Sequence, residues 1–485
     1  MNDKLDIRAA EELGEKVGRH LRNIAVHSPV RSGNTYQITV LSTFAILMKY
    51  LNDNSEKMGL EVPDILKFEI LCALMPDKVP YEKLRHYLEY VQWQFGMGSS
   101  TAYIFEELER NGLIEYKDFV SLIFRELECV DFSGEYGAKT AVLAAAKVLN
   151  ELTNGIQVGG ISTPLPILKL VEEISEIQDN MSCYGVTSDS GPTVAYMTAG
   201  HKCEAVVQTG RLYNRVLSQM FLMLTGNRDG IQMLRNNVDW MPVGIHGFED
   251  GYDRIFAVPP FVNNLDQKEI LTNSDSEGYK YVEWWPEMLG AGTWIYARHM
   301  IRALKQDGMG FIIFPLGLLS RMGSYEAVRR KFLEENYIDA VIEFPAGTFA
   351  HTNVKTAMIV LRKDKKECDI KMINLSSKAA NELISFTRGN IQNFDIGVLV
   401  DMIRNGHIVK NVSCLITPME AEENGCCLSP SAYVSEEYDL EIGVTDLEVL
   451  MCENSKLQAE LEEIQDEFVE TMGEFIRLKQ EWEGC

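Results

Sequence analysis

Apolar residues recur every three or four positions through the first part of the chain, which is the spacing of amphipathic helices. The clearest pattern runs over residues 40–51, and similar patterns follow over 65–75, 81–95 and 100–110, separated by Pro, Gly and Asn. We therefore predict an α-helical N-terminal domain over residues 1–135. No catalytic constellation stands out in it, so we interpret it as a packing or interaction domain.

The pattern changes near residue 136 to short β-branched runs that alternate with helical stretches. The predicted strands are 205–208, 254–257, 310–314, 340–343 and 356–361, and the predicted helices are 140–152, 164–177, 212–224, 293–306 and 325–335. This alternation is typical of an α/β fold with a doubly wound, mostly parallel, Rossmann-like sheet, which binds ligands at the carboxyl ends of its strands. We assign residues 136–435 to this domain, although residues 366–435 carry no clear pattern.

The last segment, residues 436–485, contains a 3–4 alternation of apolar residues from Leu447 to Trp482. About five heptads of this kind, with a strongly acidic outer face, predict a C-terminal coiled-coil helix. Asn454 lies in the seam, where it could fix register or partner choice. Two interpretations stay open: pairing with another chain, and folding back on its own domain.

Composition narrows the class of protein. The 485 residues include 46 basic and 71 acidic side chains, and a net charge of −25 is not the footprint of an independent nucleic-acid binder. No apolar run is long enough to span a bilayer, and the N-terminus does not resemble a secretion signal. Ten cysteines are scattered without a CxxC pair. We expect a cytoplasmic protein with no membrane association and no metal site.

One local basic cluster could still contact DNA within a complex. It consists of Arg321, Arg329, Arg330 and Lys331. A solvated helix face is the simpler interpretation of such a cluster, and general grounds favour it.

Four segments, taken in order, carry a family resemblance. They are Ser162-Thr163-Pro164, residues 185–191, residues 252–261 (YDRIFAVPPF) and residues 290–361, the last with Phe314-Pro315-Leu316-Gly317 and Phe344-Pro345-Ala346-Gly347-Thr348-Phe349. Together they resemble the modification (M) subunits of type I restriction systems, which are S-adenosylmethionine-dependent DNA adenine methyltransferases. The resemblance covers most of residues 30–365 and implies a methyltransferase-like fold for residues 136–435. It also implies that the helical N-terminal domain and the C-terminal helix bind a specificity-type subunit or another methyltransferase subunit, and that DNA is bound within that complex.

The resemblance places the family's Asn-Pro-Pro-Phe motif on Val258, Pro259, Pro260 and Phe261, so that valine replaces the catalytic asparagine. In the family, the asparagine carbonyl and a prolyl carbonyl accept hydrogen bonds from the adenine amine, and the aromatic ring stacks on the flipped base. Valine has no acceptor to offer. Phe261 could stack a base or close a rigid turn as a buried aromatic, and both interpretations stay open.

The resemblance also implies a cofactor site, in which several positions are changed. Thr163 and Pro164 match the Thr-Pro that touches S-adenosylmethionine, although ordinary helix capping also explains them. The family's Asp-Pro-x-x-Gly-x-Gly loop falls on residues 185–191, where Gly185 replaces the aspartate and Gly191 survives. Asp189 is either a substitute ligand in a shifted register or part of a surface turn.

Two further acidic positions belong to the implied cofactor site. The ribose-binding acid falls at Thr209, beside Gln208, and neither side chain is a carboxylate. Glu204 lies too early in the strand to replace it. The next acidic position falls near Asp239, which either preserves it or is an ordinary turn aspartate.

The loop aspartate, the ribose acid and the amine acceptor are therefore all replaced, and each lost polar partner weakens cofactor binding or transition-state stabilisation. We predict a catalytically silent methyltransferase homologue that acts as a scaffold in a DNA-binding multisubunit complex. Two alternatives stay open. One is an active S-adenosylmethionine-dependent DNA adenine methyltransferase with divergent motifs, in which Asp189 and Asp239 hold the cofactor. The other is a binding module whose changed pocket holds another nucleotide or no ligand.

Overall fold

The computed structural model describes residues 2–27, 35–75, 81–96, 117–152, 163–186, 190–209, 212–227, 230–235, 251–259, 290–349, 352–387, 390–434 and 454–456. The chain forms two compact units, Met1–Ser435 and Glu436–Cys485. In the second unit the described residues, 454–456, are helical. The remainder of the predicted coiled coil lies outside the described residues, so the coiled coil stays a prediction.

The described residues as far as Leu152 are organised into helices. These are α1 (Asn2–His27), α2 (Thr35–Asp53), α3 (Phe68–Leu74), α4 (Tyr81–Gln94), α5 (Lys117–Glu128) and α6 (Gly137–Leu152). The predicted helix over 100–110 lies outside the described residues. Residues 40–51 of α2 are buried on every side, so α2 is a central helix and not the amphipathic surface helix that its spacing predicts.

A nine-stranded sheet forms the centre of the α/β region. The strands of the chain are β1 (Ser182–Gly185), β2 (Glu204–Thr209), β3 (Ile231–Arg235), β4 (Tyr252–Ala257), β5 (Leu304–Pro315), β6 (Ile338–Phe344), β7 (Thr356–Arg362), β8 (Ile370–Asn374), β9 (Ile384–Thr387), β10 (Asn390–Phe394) and β11 (Ser413–Ile416). The order in the large sheet is β11-β8-β6-β7-β5-β4-β1-β2-β3, and β9 pairs with β10 in a separate antiparallel sheet. Strand β7 runs antiparallel to β5 and β6, and β11 runs antiparallel to β8. The other neighbours are parallel, as the sequence predicts.

Helices cover both faces of this sheet. They are α7 (Leu165–Ser175), α8 (Ser190–Thr198), α9 (Leu212–Met223), α10 (Trp294–Ala303), α11 (Ser324–Glu334), α12 (Ile396–Asn405) and α13 (Pro418–Glu423). Along β4, Phe256 joins an apolar cluster with α7 and α12, whereas Ile255 and Ala257 join a second cluster with α10 and α11. Alternate residues of a strand point to opposite faces, so the sheet is doubly wound.

The N-terminal helices pack on helices α7, α8 and α9, which cover the sheet. One apolar cluster extends from Val17 to Leu224 and includes residues of α2, α6, α8, α9 and β2. The cluster crosses the predicted domain boundary at residues 135/136. The division into a helical and an α/β domain therefore stays a prediction within the compact unit Met1–Ser435.

Some predicted boundaries were wrong. The helix expected over 293–306 ends at Ala303, and β5 begins at the next residue, because Lys305, Gln306 and Asp307 form a polar start to the strand that carries no apolar signal. The pattern also missed β1, which reads SCYG and has no β-branched residue. The uninformative region 366–435 contains β8 and β11, which extend the large sheet.

Candidate functional site

The order of strands in the sheet reverses at β1, which pairs with β2 on one side and with β4 on the other. The crevice beside the carboxyl ends of such strands is where doubly wound sheets bind ligands. Gly185 is in register with Phe256, and the Val186 amide donates to the Phe256 carbonyl over 3.0 Å. The structure therefore places the start of the predicted cofactor loop, Gly185 and Val186, beside the strand that leads into the predicted catalytic motif, at the topological switch point.

Val258 directly follows β4 and is only 2 % exposed. It belongs to the apolar cluster of α7, α12 and strands β4 to β8. Pro259 is buried beside it, whereas Pro260 and Phe261 lie outside the described residues. At the position that the sequence predicts for the family's asparagine, this chain has an aliphatic side chain in an apolar environment.

The end of β2 carries uncharged side chains. Gln208 is buried, and its carbonyl oxygen accepts a hydrogen bond from the Tyr184 hydroxyl of β1. The same hydroxyl lies 3.2 Å from Nε2 of the buried His299 in α10. Burial lowers the pKa of His299 to about 4, so this imidazole is neutral at physiological pH. Gln208, Tyr184 and His299 therefore form a neutral polar chain, and Thr209, the last residue of β2, follows it.

Glu204 lies at the other end of β2. It is the first residue of the strand and lines a groove of about 870 Å³ at the amino edge of β1, β2 and β3. Tyr50, in the last turn of α2, also lines this groove. Glu204 is thus at the edge away from the switch point, as its early place in the strand predicts.

Thr163 has no capping role, which corrects one of the two interpretations from the sequence. Helix α7 begins at Leu165, Pro164 is its N-cap residue, and no side chain makes a capping bond there. Thr163 is 4 % exposed, and its hydroxyl has no hydrogen-bond partner. A buried hydroxyl without a partner is costly, so it is available to a ligand at this edge.

Gly191 lies in the first turn of α8, where the absence of a side chain allows α9 to approach. A Cβ at this position would lie 2.7 Å from Cβ of Ser218 and would overlap its hydroxyl. Helix packing therefore accounts for Gly191. Asp189 and Asp239, the two candidate acids, lie outside the described residues.

The basic cluster of residues 321–331 is not a single solvated face. Arg329 is fully buried, and its guanidinium donates to the carbonyls of Cys426, over 2.6 Å, and Leu318, over 3.1 Å. Arg330 pairs with Glu326 at 3.2 Å, and Arg321 lies 5.1 Å from the centre of the Tyr325 ring. Arg329 therefore holds loops together, and the predicted cluster does not act as a unit on the surface.

The described residues offer little to S-adenosylmethionine, whose sulfonium and ammonium groups are cationic. In the described part of the chain, Gly185, Val186, Gln208, Thr209, Val258 and Pro259 stand at the ends of β1, β2 and β4, and none is a carboxylate. A cation in a desolvated crevice needs an anionic or strongly accepting partner. Thr163 is one described group that fits the cofactor, because its hydroxyl is both buried and unpartnered.

The sequence did not identify Tyr184 or His299 as part of this region. Tyr184 directly precedes the predicted cofactor loop, which was a usable signal, whereas His299 is distant in sequence and comes close only through the packing of α10. Among the described residues no group of three or more His, Cys, Asp or Glu side chains could hold a metal ion. No helix in that part of the chain has the length and apolar character needed to cross a membrane.

The fold is that of methyltransferase subunits. The chain is similar to the methyltransferase subunit of a type I restriction-modification system from Streptococcus thermophilus, with a TM-score of 0.69 and 17 % identity over 88 % of this chain and 100 % of that one. A structure from work on assembly and conformational transition of the type I restriction-modification system gives a TM-score of 0.60 and 15 % identity, over 95 % of this chain and 98 % of that one. At these identities the likeness establishes the fold.

The chain belongs to the N-6 DNA methylase family, whose model matches residues 148–441, more than half of the chain. It is similar to the methylase subunit of the type I restriction enzyme MpnII from Mycoplasma pneumoniae, with 26 % identity over 157 residues, 32 % of this chain and 28 % of that subunit. It is also similar to the MjaVIII methylase subunit from Methanocaldococcus jannaschii, with 23 % identity over 300 residues, 55 % of this chain and 51 % of that subunit. These matches span about half or less of the relatives' length.

Proposed function

We propose that the protein is an M-subunit-like homologue of DNA adenine methyltransferases that does not transfer methyl groups and serves as a scaffold in a multisubunit complex. One observation carries this proposal. Gly185 and Val258 stand where the resemblance places the loop aspartate and the catalytic asparagine; Gly185 ends β1, Val258 directly follows the adjacent β4, and Val258 is buried among apolar side chains. The two replacements therefore lie at one site, and neither residue supplies the polar group that the other position lacks.

The size of these losses supports a silent site. Removing a hydrogen-bond partner in a desolvated site costs roughly 1–3 kcal/mol, so the loss of the loop aspartate and the ribose acid together weakens cofactor binding by orders of magnitude. Val258 leaves the adenine amine without a side-chain acceptor during transfer. That deficit falls on the transition state, where it lowers the rate directly.

A scaffold role agrees with the charge and with the two ends of the chain. A net charge of −25 opposes independent binding to duplex DNA, so DNA is bound in a complex whose other members supply basic surface. The helices before residue 135 and the acidic segment 436–485 are the parts that we assign to partners, either a specificity-type subunit or an active methyltransferase subunit. We place this complex in the cytoplasm.

The experiment is a methyl-transfer assay with tritiated S-adenosylmethionine and duplex DNA, with the full chain alone and after co-purification with its partners. A mock preparation from cells that lack the chain measures contaminating activity, and an active M subunit is the positive control. We expect incorporation at the level of the mock. Incorporation into adenine above the mock, by the chain alone or in its complex with catalytically disabled partners, would overturn the proposal.

A second function has one observation in its favour. The unpartnered Thr163 hydroxyl and the retained Pro259 are what an active, divergent S-adenosylmethionine-dependent DNA adenine methyltransferase would keep. In that enzyme a backbone carbonyl, and not residue 258, would orient the amine. The assay, repeated with substitution Val258→Ala, separates the two functions. The substitution removes no polar group, so a divergent enzyme keeps its activity in this variant. A silent homologue shows no activity in either form.

A further inference from the structure

Helix α1 contacts several other helices but buries little apolar surface. Among its described side chains, those of residues 9–24, Val17 and Leu21 are the buried apolar ones, and Leu13 is 40 % exposed. Helix α2, by contrast, is buried on every side over residues 40–51. Burial of apolar area supplies most of the stability of a packed helix, so α1 is held less firmly than α2.

Ion pairs join α1 to its neighbours. The Lys169 ammonium of α7 lies 3.3 Å from the Glu11 carboxylate and 3.1 Å from the Glu15 carboxylate. On the other side, His20 lies 3.0 Å from Glu126 of α5. Burial disfavours the Lys169 ammonium, but the two carboxylates raise its pKa overall. All these side chains are partly exposed, between 21 % and 57 %, so each pair contributes little and salt weakens it.

The docked helix also brings like charges together. Glu172 of α7 pairs with the buried Lys139 of α6, and it lies close enough to Glu11 for the two carboxylates to repel. With Glu15 and Lys169, this cluster holds three carboxylates and two ammonium groups. Repulsion is stronger where little solvent separates the charges. The approach of Glu11 to Glu172 therefore opposes the docking of α1.

Undocking of α1 breaks few backbone contacts. The backbone hydrogen bonds of a helix are internal to it, so α1 can move as a unit without losing them. One further bond, from the Thr140 hydroxyl of α6 to the Ala10 carbonyl over 3.2 Å, would break. Residues 28–34, which join α1 to α2, read SPVRSGN, and this sequence predicts a loop.

Tyr196 connects α1 to the helix that begins at the switch-point edge. Its hydroxyl donates to the Glu11 carboxylate over 3.2 Å, and the Lys139 ammonium lies 3.6 Å from the centre of its ring. Tyr196 belongs to α8, which follows β1 and therefore begins at the carboxyl edge of the sheet. Loss of the contact with Glu11 weakens the attachment of α8 to the N-terminal helices.

We propose that α1 is a strap that undocks as a unit from α6, α7 and α8 while the rest of Met1–Ser435 stays folded, and that undocking loosens α8. Local opening of this kind has a smaller free energy than global unfolding. The open state exposes Lys169 and the face of α6 that Gly14 and Gly18 approach closely. The inference does not depend on whether the site transfers methyl groups.

The test is hydrogen–deuterium exchange of the full chain, with mass spectrometry of peptides from α1, α2 and α8. After correction for intrinsic rates, we expect α1 to exchange at least about 100-fold faster than α2. Raising the salt concentration from about 50 mM to about 500 mM should speed exchange in α1 about threefold, because salt screens the partly exposed ion pairs. Exchange in α2 should not respond to salt.

Substitutions at the ion pairs supply matched variants. Lys169→Met removes both ion pairs of Lys169 and should speed exchange about fivefold in α1 and about twofold in α8. Tyr196→Phe keeps the ring but removes the bond to Glu11, and it should speed exchange in α1 about threefold. Lys67→Met is the control, because the Lys67 ammonium pairs with Asp64 at 2.7 Å beside α3. It should leave α1 unchanged.

The possible outcomes test each part of the proposal. Equal protection of α1 and α2 in the unchanged chain would refute the strap, as would equal effects of Lys169→Met and Lys67→Met on α1. Faster exchange of α2 in parallel with α1 would show global opening and would also refute it. Unchanged exchange of α8 in both Lys169→Met and Tyr196→Phe would refute the coupling to α8.

Discussion

Gly185, Gln208, Thr209 and Val258, which the sequence analysis matches to the family's acids and amide acceptor, carry no carboxylate, and Gly185 and Val258 have no side-chain hydrogen-bonding group. Their neighbours are well packed: Val258 is part of an apolar cluster, and Gln208 is bonded to Tyr184. These residues are therefore well packed, and on our proposal what they lack is the polar groups that would contact ligands. At the scale of single residues, a side chain can therefore keep its packing role without supplying a group that binds a ligand.

Arg329 allows a test of how much one buried guanidinium contributes to the stability of the fold. Substitution Arg329→Met leaves the Cys426 and Leu318 carbonyls without their donor in a buried environment. We expect the free energy of unfolding in urea to fall by about 3 kcal/mol. Arg330→Met, one residue further on at an exposed ion pair, is the matched control and should leave it unchanged. A loss for Arg329→Met no larger than that for Arg330→Met would mean that the guanidinium does not hold these loops.

His299 predicts a pH dependence of stability. Burial lowers the pKa of its imidazole to about 4, whereas an unfolded histidine titrates near about 6.5. Between these values the unfolded chain binds a proton that the folded chain does not. The contribution of neutral His299 is therefore complete above about pH 6.5 and is lost as the pH falls towards 4.

The measurement is urea unfolding at about pH 7 and about pH 4.5 for the unchanged chain and for His299→Gln, which can still bond to Tyr184. We expect the variant to lose less stability on acidification, by up to about 3 kcal/mol over the full range. His201→Gln, at a histidine beside Asp179, is the control and should keep the His299 contribution. Identical pH dependence in His299→Gln and the unchanged chain would contradict the assignment.

Among the elements, those with a strong local signal were predicted and those that depend on packing were not. The segments that became β4, β6 and β7 contain short apolar runs with Ile or Val, so the pattern located them. Strand β1 has four residues without such a signal, and it is a strand because it lies between β2 and β4 in the sheet. The sequence could not reveal that context.

The candidate site was likewise predictable where the signal is local and not where it depends on packing. Sequence motifs placed Gly185 and Val258 at one site, and the register of β1 and β4, which pairs Gly185 with Phe256, puts both residues at the same edge of the sheet. The sequence could not predict the unpartnered hydroxyl of Thr163 or the hydrogen-bonded group of Gln208, Tyr184 and His299. Hydrogen-bond partners depend on side chains that are far apart in sequence.

Helix α1 is attached to α6 through two glycines one turn apart. A Cβ on Gly14 would lie 2.7 Å from the Thr140 carbonyl oxygen, and a Cβ on Gly18 would lie 2.6 Å from the Ala144 carbonyl oxygen. Such distances require the helices to move apart. The contact therefore needs glycine at both positions.

Substitution Gly18→Ala should lower the free energy of unfolding by about 2 kcal/mol, because the added methyl overpacks the contact between α1 and α6. Gly397→Ala in α12 is the matched control: its Cβ would meet Asp395 at 3.6 Å, an ordinary contact, and alanine favours a helix. Urea unfolding should show no loss for this control. Equal stability of the two variants would mean that α1 does not need a close approach.

At the scale of the molecule, the chain has the fold of the N-6 DNA methylase family, and we propose that the edge where such a fold binds its ligand is changed. The sheet keeps its switch point, and the apolar cluster from Val17 to Leu224 joins the N-terminal helices to it. The net charge of the whole chain is −25, which opposes independent binding to DNA. Both features suit a protein that works through partners.

The central claim is that the site does not bind the methyl donor. Calorimetric titration of the purified full chain with S-adenosylmethionine tests it most directly, since methyl transfer requires the bound cofactor. We predict no saturable heat of binding at cofactor concentrations up to about millimolar, because the loss of several polar partners weakens the affinity beyond this range. An active M subunit titrated in the same buffer shows that the cofactor is competent. A one-to-one isotherm with micromolar affinity would contradict the account.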